Sequence, residues 1–506
     1  MKISKNINPY WREGESKDFG REAIEYAAGQ DVLLDQAFVQ YECLVNMAHQ
    51  VMLRKQKIIN PEITAKLLKG LKRIMFLDQA GKFILIKELE DVHSNVEQYL
   101  IRKYGIETGG YLRLGIARND QVYTDTRMYM RDKILAISLE LVKLIEGLNK
   151  AAEANIYTVM PGYTHLRVSQ PLTFGHWLTA KAFHFLDDLS NIIKYFDIVN
   201  QCPLGIFEMA GTHLPIDRNL TGKLLGFNKP TPHSLYTADL RGELEAKLIV
   251  EFAFLALHIR RTMNEIILFT TNEFELFKID NLYTTGGTAQ PNLENPDTLE
   301  VIRANMALFL PSAVQLFMMM DVLSSGYNRD SQQTKPVLFN TIKVMAEALP
   351  VFTGIVTTLK PNKKQMEKQA NLNFSIAPSV AIQLSVKGGI SFREAHRVVK
   401  TMIREGFLKK SFLEMTPGII SEAAKEAIGK DLRVNETDIA EFKEAGKCVL
   451  LQDSLGGPAP QQVRKMIKAI NLKTNSFSRQ ITDKEKRLKK AENYLLQEVN
   501  KLIMLN

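Results

Sequence analysis

Five long apolar series constrain the fold more than any other feature of this sequence. In each series the apolar residues recur alternately three and four positions apart, the spacing of a helix face that packs against other helices. The series lie at 130–148, 178–196, 244–259, 302–320 and 338–359. Strand signals are nearly absent from the chain. We therefore expect an all-α protein with a central bundle of five long helices.

The same helices predict an assembly of several chains. Helices of about 20 to 30 residues are about 30 to 45 Å long, so the bundle would be elongated. Broad apolar stripes such as LFMMMDVL at 316–323 would remain exposed on a single chain, which favours an oligomer. Pro311 and Pro350 lie within the fourth and fifth series, where they should bend or interrupt the helices.

Shorter amphipathic segments flank the bundle. Two helices are predicted before it, at 35–55 and 61–78, and one after it is opened by Ser391 with Glu394 three residues on. Leucines at sevens predict a terminal helix over 483–505. We expect an N-terminal helical domain at 1–115, the central bundle at 116–362, a small C-terminal helical domain at 363–470 and a basic amphipathic extension at 471–506.

Composition and charge exclude several classes of protein. The net charge is +9, but no basic stretch is interleaved with aromatic residues, so we expect no nucleic-acid partner. No apolar run approaches about 18 residues and the first twenty residues lack an apolar leader, which predicts a cytoplasmic protein without a membrane partner. Cys43, Cys202 and Cys448 have neither disulfide nor zinc-ligand spacing, and we expect no metal and no cofactor.

Three polar segments interrupt the helical pattern and are candidates for chemistry. Arg118 and Asn119 stand at the entrance to the first long helix, where they would clamp a carboxylate or simply cap the helix. Thr164 and His165 place a hydroxyl beside an imidazole, which suits acid–base work but also a structural histidine. The loop at 283–297 has the length of a lid or of a disordered segment.

Five segments in this order resemble argininosuccinate lyase, a family of the fumarase/aspartase superfamily. They are EDVHSNVE at 90–97, ARNDQV at 117–122, MPGYTH at 160–165 with QPLTFGH at 170–176, AGT at 210–212 with LPIDR at 214–218, and YNRDSQ at 327–332 with Lys335. The resemblance covers roughly residues 25–465. It implies a three-domain helical fold whose long helices assemble into a homotetrameric core, with each active site built from three subunits.

The resemblance also implies a reaction and a set of site residues. The family eliminates fumarate from an N-succinyl compound in arginine biosynthesis, as a carbon–nitrogen lyase of the amidine-lyase type acting on a small polycarboxylate. His165 matches the family's catalytic histidine. The succinyl carboxylates would be held by Arg118, Asn119, Thr164 and Asn295, and the amino-acid end of the substrate by Arg261, Tyr327, Gln332 and Lys335.

The chain departs from the family in its signature loop. Relatives carry Gly-Ser-Ser-x-Met-Pro-x-Lys-x-Asn, whereas this chain reads GGTAQPNLEN at 286–295. Gly287 replaces the serine that acts as the base, and Leu293 replaces the lysine that stabilises the anion. Thr288, one residue further on, and His165 are therefore our candidates for acid–base catalysis. The alternative is a non-catalytic relative, a pseudoenzyme with a binding or structural role, and altered chemistry on the same scaffold is a third reading.

Overall fold

The computed structural model describes residues 21–505 of the 506-residue chain. The prediction of an all-α protein is confirmed, because helices dominate and the strands form only two-stranded pieces in this part of the chain. The first twenty residues, on which the expectation of no apolar leader rests, and the start of the predicted N-terminal domain lie outside the described range.

The helices and strands have the following bounds. The helices are α1 Arg21–Asp35, α2 Val39–Lys55, α3 Pro61–Gln79, α4 Val92–Tyr104, α5 Ile106–Gly109, α6 Arg118–Glu153, α7 Phe174–Val199, α8 Arg218–Leu224, α9 Ser234–Asp239, α10 Glu243–Thr270, α11 Asp297–Asn305, α12 Phe309–Met320, α13 Thr334–Thr358, α14 Lys363–Asn371, α15 Ala377–Gly388, α16 Phe392–Arg404, α17 Pro417–Ile428, α18 Glu436–Ala440, α19 Ala445–Leu451 and α20 Pro460–Met504. The strand pairs are β1 Val159–Thr164 with β2 Arg167–Thr173, β3 Gln201–Cys202 with β4 Lys229–Pro230, β5 Phe277–Lys278 with β8 Lys360–Pro361, and β6 Thr285–Gly286 with β7 Glu294–Asn295.

The five apolar series form the bundle. They correspond to α6, α7, α10, the α11–α12 pair and α13. The fourth series is interrupted by a 3-10 turn at Met306–Leu308, so that Pro311 falls in the first turn of α12, where its missing N–H costs no helical hydrogen bond. Pro350 does not interrupt the fifth series, because α13 continues through it to Thr358.

The last helix is longer than the sequence pattern indicates. α20 spans 45 residues and passes without a break through position 471, where the extension was expected to begin. Its apolar face packs on the bundle, with Ile481, Leu495 and Val499 buried in the main core. Lys484 pairs with Asp197 of α7 at 2.6 Å. The terminal helix therefore docks on its own chain.

Buried residues form two large cores. The main core joins α2–α4, the bundle and α20, while a second core of residues between Ala370 and Cys448 lies within α14–α19. In the second core, α16 begins with the expected capping box, since Ser391 Oγ accepts from the Glu394 N–H and the Glu394 carboxylate accepts from the Ser391 N–H. The predicted domain boundaries stay predictions.

One outer face of the bundle is apolar and exposed. It carries large side chains on α10 and α12, namely Phe254, Leu257, Leu310, Val314, Phe317 and Met318. Two helical stretches, 297–320 and 329–358, are also long and apolar enough to cross a membrane. Both contribute core residues to the bundle, including Phe309 and Phe352, and 33% and 44% of their most apolar windows are buried.

Candidate active site

A cavity of about 420 Å³ opens at the N-terminal end of α6. Residues from six parts of the chain meet there: α1, the start of α4, the segment 113–122 around the start of α6, the turn at 205–208, Arg241 before α10, and the segment 327–335 that leads into α13. Most of the lining residues are charged or carry an amide. The charged and amide groups that line it are Asp31, Asp35, Glu90, Asp91, His93, Arg113, Arg118, Asn119, Glu208, Arg241, Arg329, Gln332 and Lys335.

Asp120 fixes the helix end that carries Arg118 and Asn119. Its Oδ1 accepts from the Ala117 N–H at 2.8 Å, and its Oδ2 accepts from the N–H groups of Gly205 and Phe207 at 2.9 and 3.0 Å. Burial raises the pKa of Asp120 to about 7, although these donors act in the opposite direction. The carboxyl group of Asp120 therefore joins the start of α6 to the turn at 205–208.

Arg118 and Asn119 both have carboxylate partners within the chain. Arg118 Nη1 donates to Asp91 Oδ2 at 2.9 Å, and the same aspartate caps α4 by accepting from the Ser94 N–H. Asn119 Nδ2 donates to Glu208 Oε2 at 2.7 Å. Both donors that were predicted to hold substrate carboxylates thus already bind carboxylates of the protein.

The cavity lining also contains a buried cation between two aspartates. Lys335 Nζ lies 2.8 Å from Asp31 Oδ1 and 2.7 Å from Asp35 Oδ1. Burial acts to lower the pKa of Lys335, but the two aspartates outweigh it and the pKa is raised. Gln332 Oε1 is buried without a hydrogen-bond partner among the described residues, so it is an acceptor available to a ligand.

Tyr327 lies beside these groups in the cavity wall. Its ring faces the guanidinium of Arg241, whose Cζ is 5.7 Å from the ring centroid. The same guanidinium lies over the ring of Tyr123 at 5.3 Å. These cation–π contacts hold Arg241 at the cavity edge.

A buried cluster of carboxyl and imidazole groups adjoins the cavity, because His93 belongs both to the cluster and to the cavity lining. His93 Nδ1 is 2.9 Å from Glu42 Oε2, and Glu42 Oε1 accepts from Asn46 and Gln121. Asp125 lies within side-chain hydrogen-bonding distance of Glu42, and burial together with the charge of Glu42 raises the pKa of Asp125 well above its ordinary value. Although ligand atoms of Glu42, His93 and Asp125 lie within 4.8 Å of one another, the Glu42 oxygens are committed to hydrogen bonds. The raised pKa of Asp125 and the hydrogen bonds that Glu42 accepts favour a hydrogen-bonded carboxyl cluster over a metal site.

Thr164 and His165 lie on an exposed hairpin and do not line the cavity. The hairpin consists of β1 and β2, and Thr164 pairs with Arg167 across its end. His165 and Leu166 form the two-residue turn with φ of 54° and 56°, which is the backbone of a type I′ turn. Non-glycine residues rarely adopt this conformation, and a strained exposed tip is typical of a functional segment.

Thr288 and Asn295 lie in the signature loop, which is also outside the cavity. β6 and β7 close the loop, with Thr285 opposite Asn295. Thr288 is exposed and Asn295 is half-buried. A Cβ on Gly287 would lie 2.9 Å from the Gln290 carbonyl oxygen, so the observed loop conformation has no room for a side chain at the position of the lost serine.

Arg261 is likewise remote from the cavity lining. It lies on the exposed face of α10, within electrostatic range of Lys181 and His184 on α7. One chain therefore gathers half of the predicted site residues: Arg118, Asn119, Tyr327, Gln332 and Lys335 line the cavity, while Arg261, Thr164, His165, Thr288 and Asn295 do not.

Sequence reasoning missed several groups that line the cavity. Asp91 and His93 belong to the segment 90–97 that carries part of the family resemblance, so the motif itself was a signal for them. Asp31, Asp35 and Glu208 had no such signal, because each reaches the cavity only through packing of distant segments.

Comparisons with known proteins agree with this architecture. A family model described as lyase matches residues 27–308. Argininosuccinate lyase from Bacillus velezensis is 34% identical over 443 residues, covering 87% of this chain and 94% of that protein. Argininosuccinate lyase from Methanocaldococcus jannaschii is 30% identical over 463 residues, covering 91% of this chain and 94% of its own length.

Solved structures extend the similarity to the fold. EDDS lyase in complex with formate matches with a TM-score of 0.82 at 25% identity, over 97% of this chain and 98% of that one. Class II fumarase from Schistosoma mansoni matches with a TM-score of 0.68 at 14% identity, over 84% of this chain and 94% of that one, and shows the fold alone. The helical bundle and these matches define a lyase of the fumarase/aspartase superfamily. Within that class, the chain belongs to the argininosuccinate lyase family.

Proposed function

We propose that this protein is a carbon–nitrogen lyase that eliminates fumarate from argininosuccinate or a related N-succinyl amino compound. The observation that carries the proposal is the polarity of the cavity. The cavity presents Arg118 and Asn119 at the positive end of a 36-residue helix, and it also presents Asp31 and Asp35 around Lys335. A substrate that carries both carboxylates and an amino group fits this combination of groups.

The reaction requires a base, an anion site and an acid. The base removes a proton from the succinyl carbon, and the C–H electrons move into the adjacent carboxylate. The anion that results is stabilised by donors such as Asn119. When the C–N bond breaks, its electrons go to nitrogen, which takes a proton and leaves as the amine or guanidine while the new C=C bond completes fumarate.

The acid–base groups belong to segments that lie outside this chain's own cavity. His165 is on the exposed hairpin tip and Thr288 on the exposed signature loop. We assign Thr288 or His165 as the base, since Gly287 has no side chain. Thr164, on the hairpin with His165, and Asn295, in the loop with Thr288, are assigned as further hydrogen-bond donors to the substrate carboxylates. Arg261 on α10 is assigned to the amino-acid end of the substrate.

A homotetramer would supply these segments from neighbouring subunits. The exposed apolar side chains on α10 and α12 support such an assembly, because a monomer would leave Phe254, Phe317 and Met318 in water. Each site would then combine the cavity of one subunit with the hairpin of a second and the signature loop of a third. The protein is proposed to act in the cytoplasm on a small molecule, in arginine biosynthesis when the substrate is argininosuccinate.

Two observations bear on the alternatives. The similarity to EDDS lyase over almost the whole chain keeps the leaving group open among N-succinyl compounds. The non-catalytic alternative finds no support in the relatives, which are lyases. The altered loop at Gly287 and Leu293 is the one feature that favours it.

Steady-state release of fumarate tests the proposal. The full chain should release fumarate from argininosuccinate or from a member of a panel of N-succinyl amines, with His165→Ala lowering kcat by about 10²- to 10⁴-fold. His396→Ala is the matched control and should retain activity, because His396 is exposed on α16, outside the cavity lining. No release above background from any panel member would sink the proposal in favour of a non-catalytic relative.

A further inference from the structure

The carboxylate of Glu208 accepts a hydrogen bond from Asn119, the residue that we assign to a substrate carboxylate. Its Oε2 accepts from Asn119 Nδ2 at 2.7 Å, and both residues line the cavity. Asn119 is only 9% exposed, whereas Glu208 is exposed to the cavity and to solvent. The largely buried Asn119 amide therefore already donates a hydrogen bond to a carboxylate of the same chain.

The backbone holds Glu208 at this point. Phe207, the preceding residue, has a left-handed backbone with φ of 59°, and its N–H donates to Asp120, the residue that follows Asn119. The N–H of Gly211 closes the turn by donating to the Ile206 carbonyl at 2.9 Å. Both the donor and the internal carboxylate are thus fastened to one buried group, Asp120. Glu208 also lies at the N-terminal end of α6, where the helix dipole favours a negative charge.

The electrostatic setting of Glu208 is mixed. Arg118, Arg241 and Arg329 line the same cavity, as do the acidic groups Glu90 and Asp91. An incoming carboxylate is attracted by the arginines but meets Glu208 at the Asn119 donor, and two carboxylates cannot share one N–H group without repulsion.

We propose that Glu208 is a specificity-determining residue that competes with the substrate carboxylate for Asn119. The inference rests on the proposed function of the cavity. A ligand with one carboxylate gains too little binding free energy from Asn119 to displace Glu208. A dicarboxylate displaces it, because its second carboxylate gains other donors of the composite site at the same time. Glu208 therefore selects succinyl compounds over monocarboxylate anions.

Isothermal titration of the assembled full chain with succinate, acetate, fumarate and arginine, each in a separate experiment, tests this competition. Glu208→Ala removes the competing acceptor and Glu208→Gln removes its charge, so that succinate should bind about tenfold more tightly to Glu208→Ala and acetate should gain at least as much. Asn119→Ala should weaken succinate binding. Glu422→Gln is the matched control, because Glu422 is exposed on α17, outside the cavity lining. This variant should bind as the unmodified chain does.

The outcomes separate this inference from the function on which it rests. Tighter binding of both anions to the Glu208 variants supports it. Unchanged or weaker succinate binding in those variants overturns it while leaving the proposed function in place. Weaker binding of arginine to Glu208→Gln with unchanged succinate binding also overturns it, because Glu208 would then hold the leaving amine. Failure of succinate and fumarate to bind to any variant overturns the proposed function together with the inference.

Discussion

Lys335 Nζ lies 2.7 Å from Asp35 Oδ1, and both side chains are buried, so a salt bridge forms part of the floor of the cavity. Asp31 accepts from the same nitrogen at 2.8 Å. Burying charged groups costs desolvation energy. A buried salt bridge is therefore retained where its charges have a role besides stabilising the fold. Here they place two carboxylates and a cation in the cavity lining and hold α1 against α13.

Lys335→Met should be strongly destabilising. It leaves Asp31 and Asp35 buried without their cation, and breaking a buried pair in this way costs about 3–5 kcal/mol. Lys343→Met on the same helix is the control: Lys343 is exposed and lies 4.0 Å from Glu347, so the change should stay within about 0.5 kcal/mol. Denaturant unfolding at equal protein concentration measures both. Similar losses in the two variants would refute the structural role of the salt bridge.

Asp125→Asn should stabilise the protein at neutral and alkaline pH. Burial and the charge of Glu42 raise the pKa of Asp125 above the 3.8 of an ordinary aspartate, so its contribution to stability falls as the pH rises from that value through the folded-state pKa. Asparagine keeps the shape and a donor for Glu42 but has no proton to lose. The gain in Tm should therefore grow with pH and disappear in acid. Parallel Tm curves for the two proteins would show that Asp125 is not held protonated.

Thr288→Ala should lower kcat by about 10²- to 10⁴-fold if Thr288 is the base. Thr288→Ser, which keeps the hydroxyl, should retain most of the activity. Gln290→Ala in the same exposed loop serves as the control for a general disturbance of the loop. Full activity in Thr288→Ala would leave His165 as the base.

Gly287→Ser and Gly287→Ala form a matched pair at the position of the lost serine. A Cβ there meets the Gln290 carbonyl at 2.9 Å, so both substitutions should displace the loop and lower kcat to a similar extent. The comparison is made by fumarate release at saturating substrate. A serine variant much more active than the alanine variant would show that the base belongs at position 287 and not at Thr288.

The sequence predicted the bundle well because apolar periodicity is a local property of each helix. The series at 130–148 and 338–359 appear as α6 and α13 with the expected buried stripe. The hairpin at 159–173 was not predicted. Its strands include Pro161 and Pro171, and its turn uses His165–Leu166 in place of the Asn-Gly pair that usually signals a type I′ turn.

The candidate site was predictable only in part. Ordered motifs located Arg118, Asn119 and Lys335, because those residues stand in segments that resemble a known family. The partners of these residues were not predictable, since Asp35 and Glu208 lie far from them in sequence. His165 lies on an exposed hairpin outside the cavity, and in the proposed tetramer its distance from the cavity would be set by the packing of subunits, which no pattern within one chain describes.

The central claim is that fumarate-releasing sites are shared between subunits. Mixing two inactive variants, His165→Ala and Asn119→Ala, under conditions that exchange subunits tests it most directly. Hybrid tetramers would contain some sites with both residues intact, so fumarate release should reappear in the mixture while each variant alone stays inactive. Subunit exchange with no recovered activity would contradict the claim and place His165 and Asn119 in sites of a single chain.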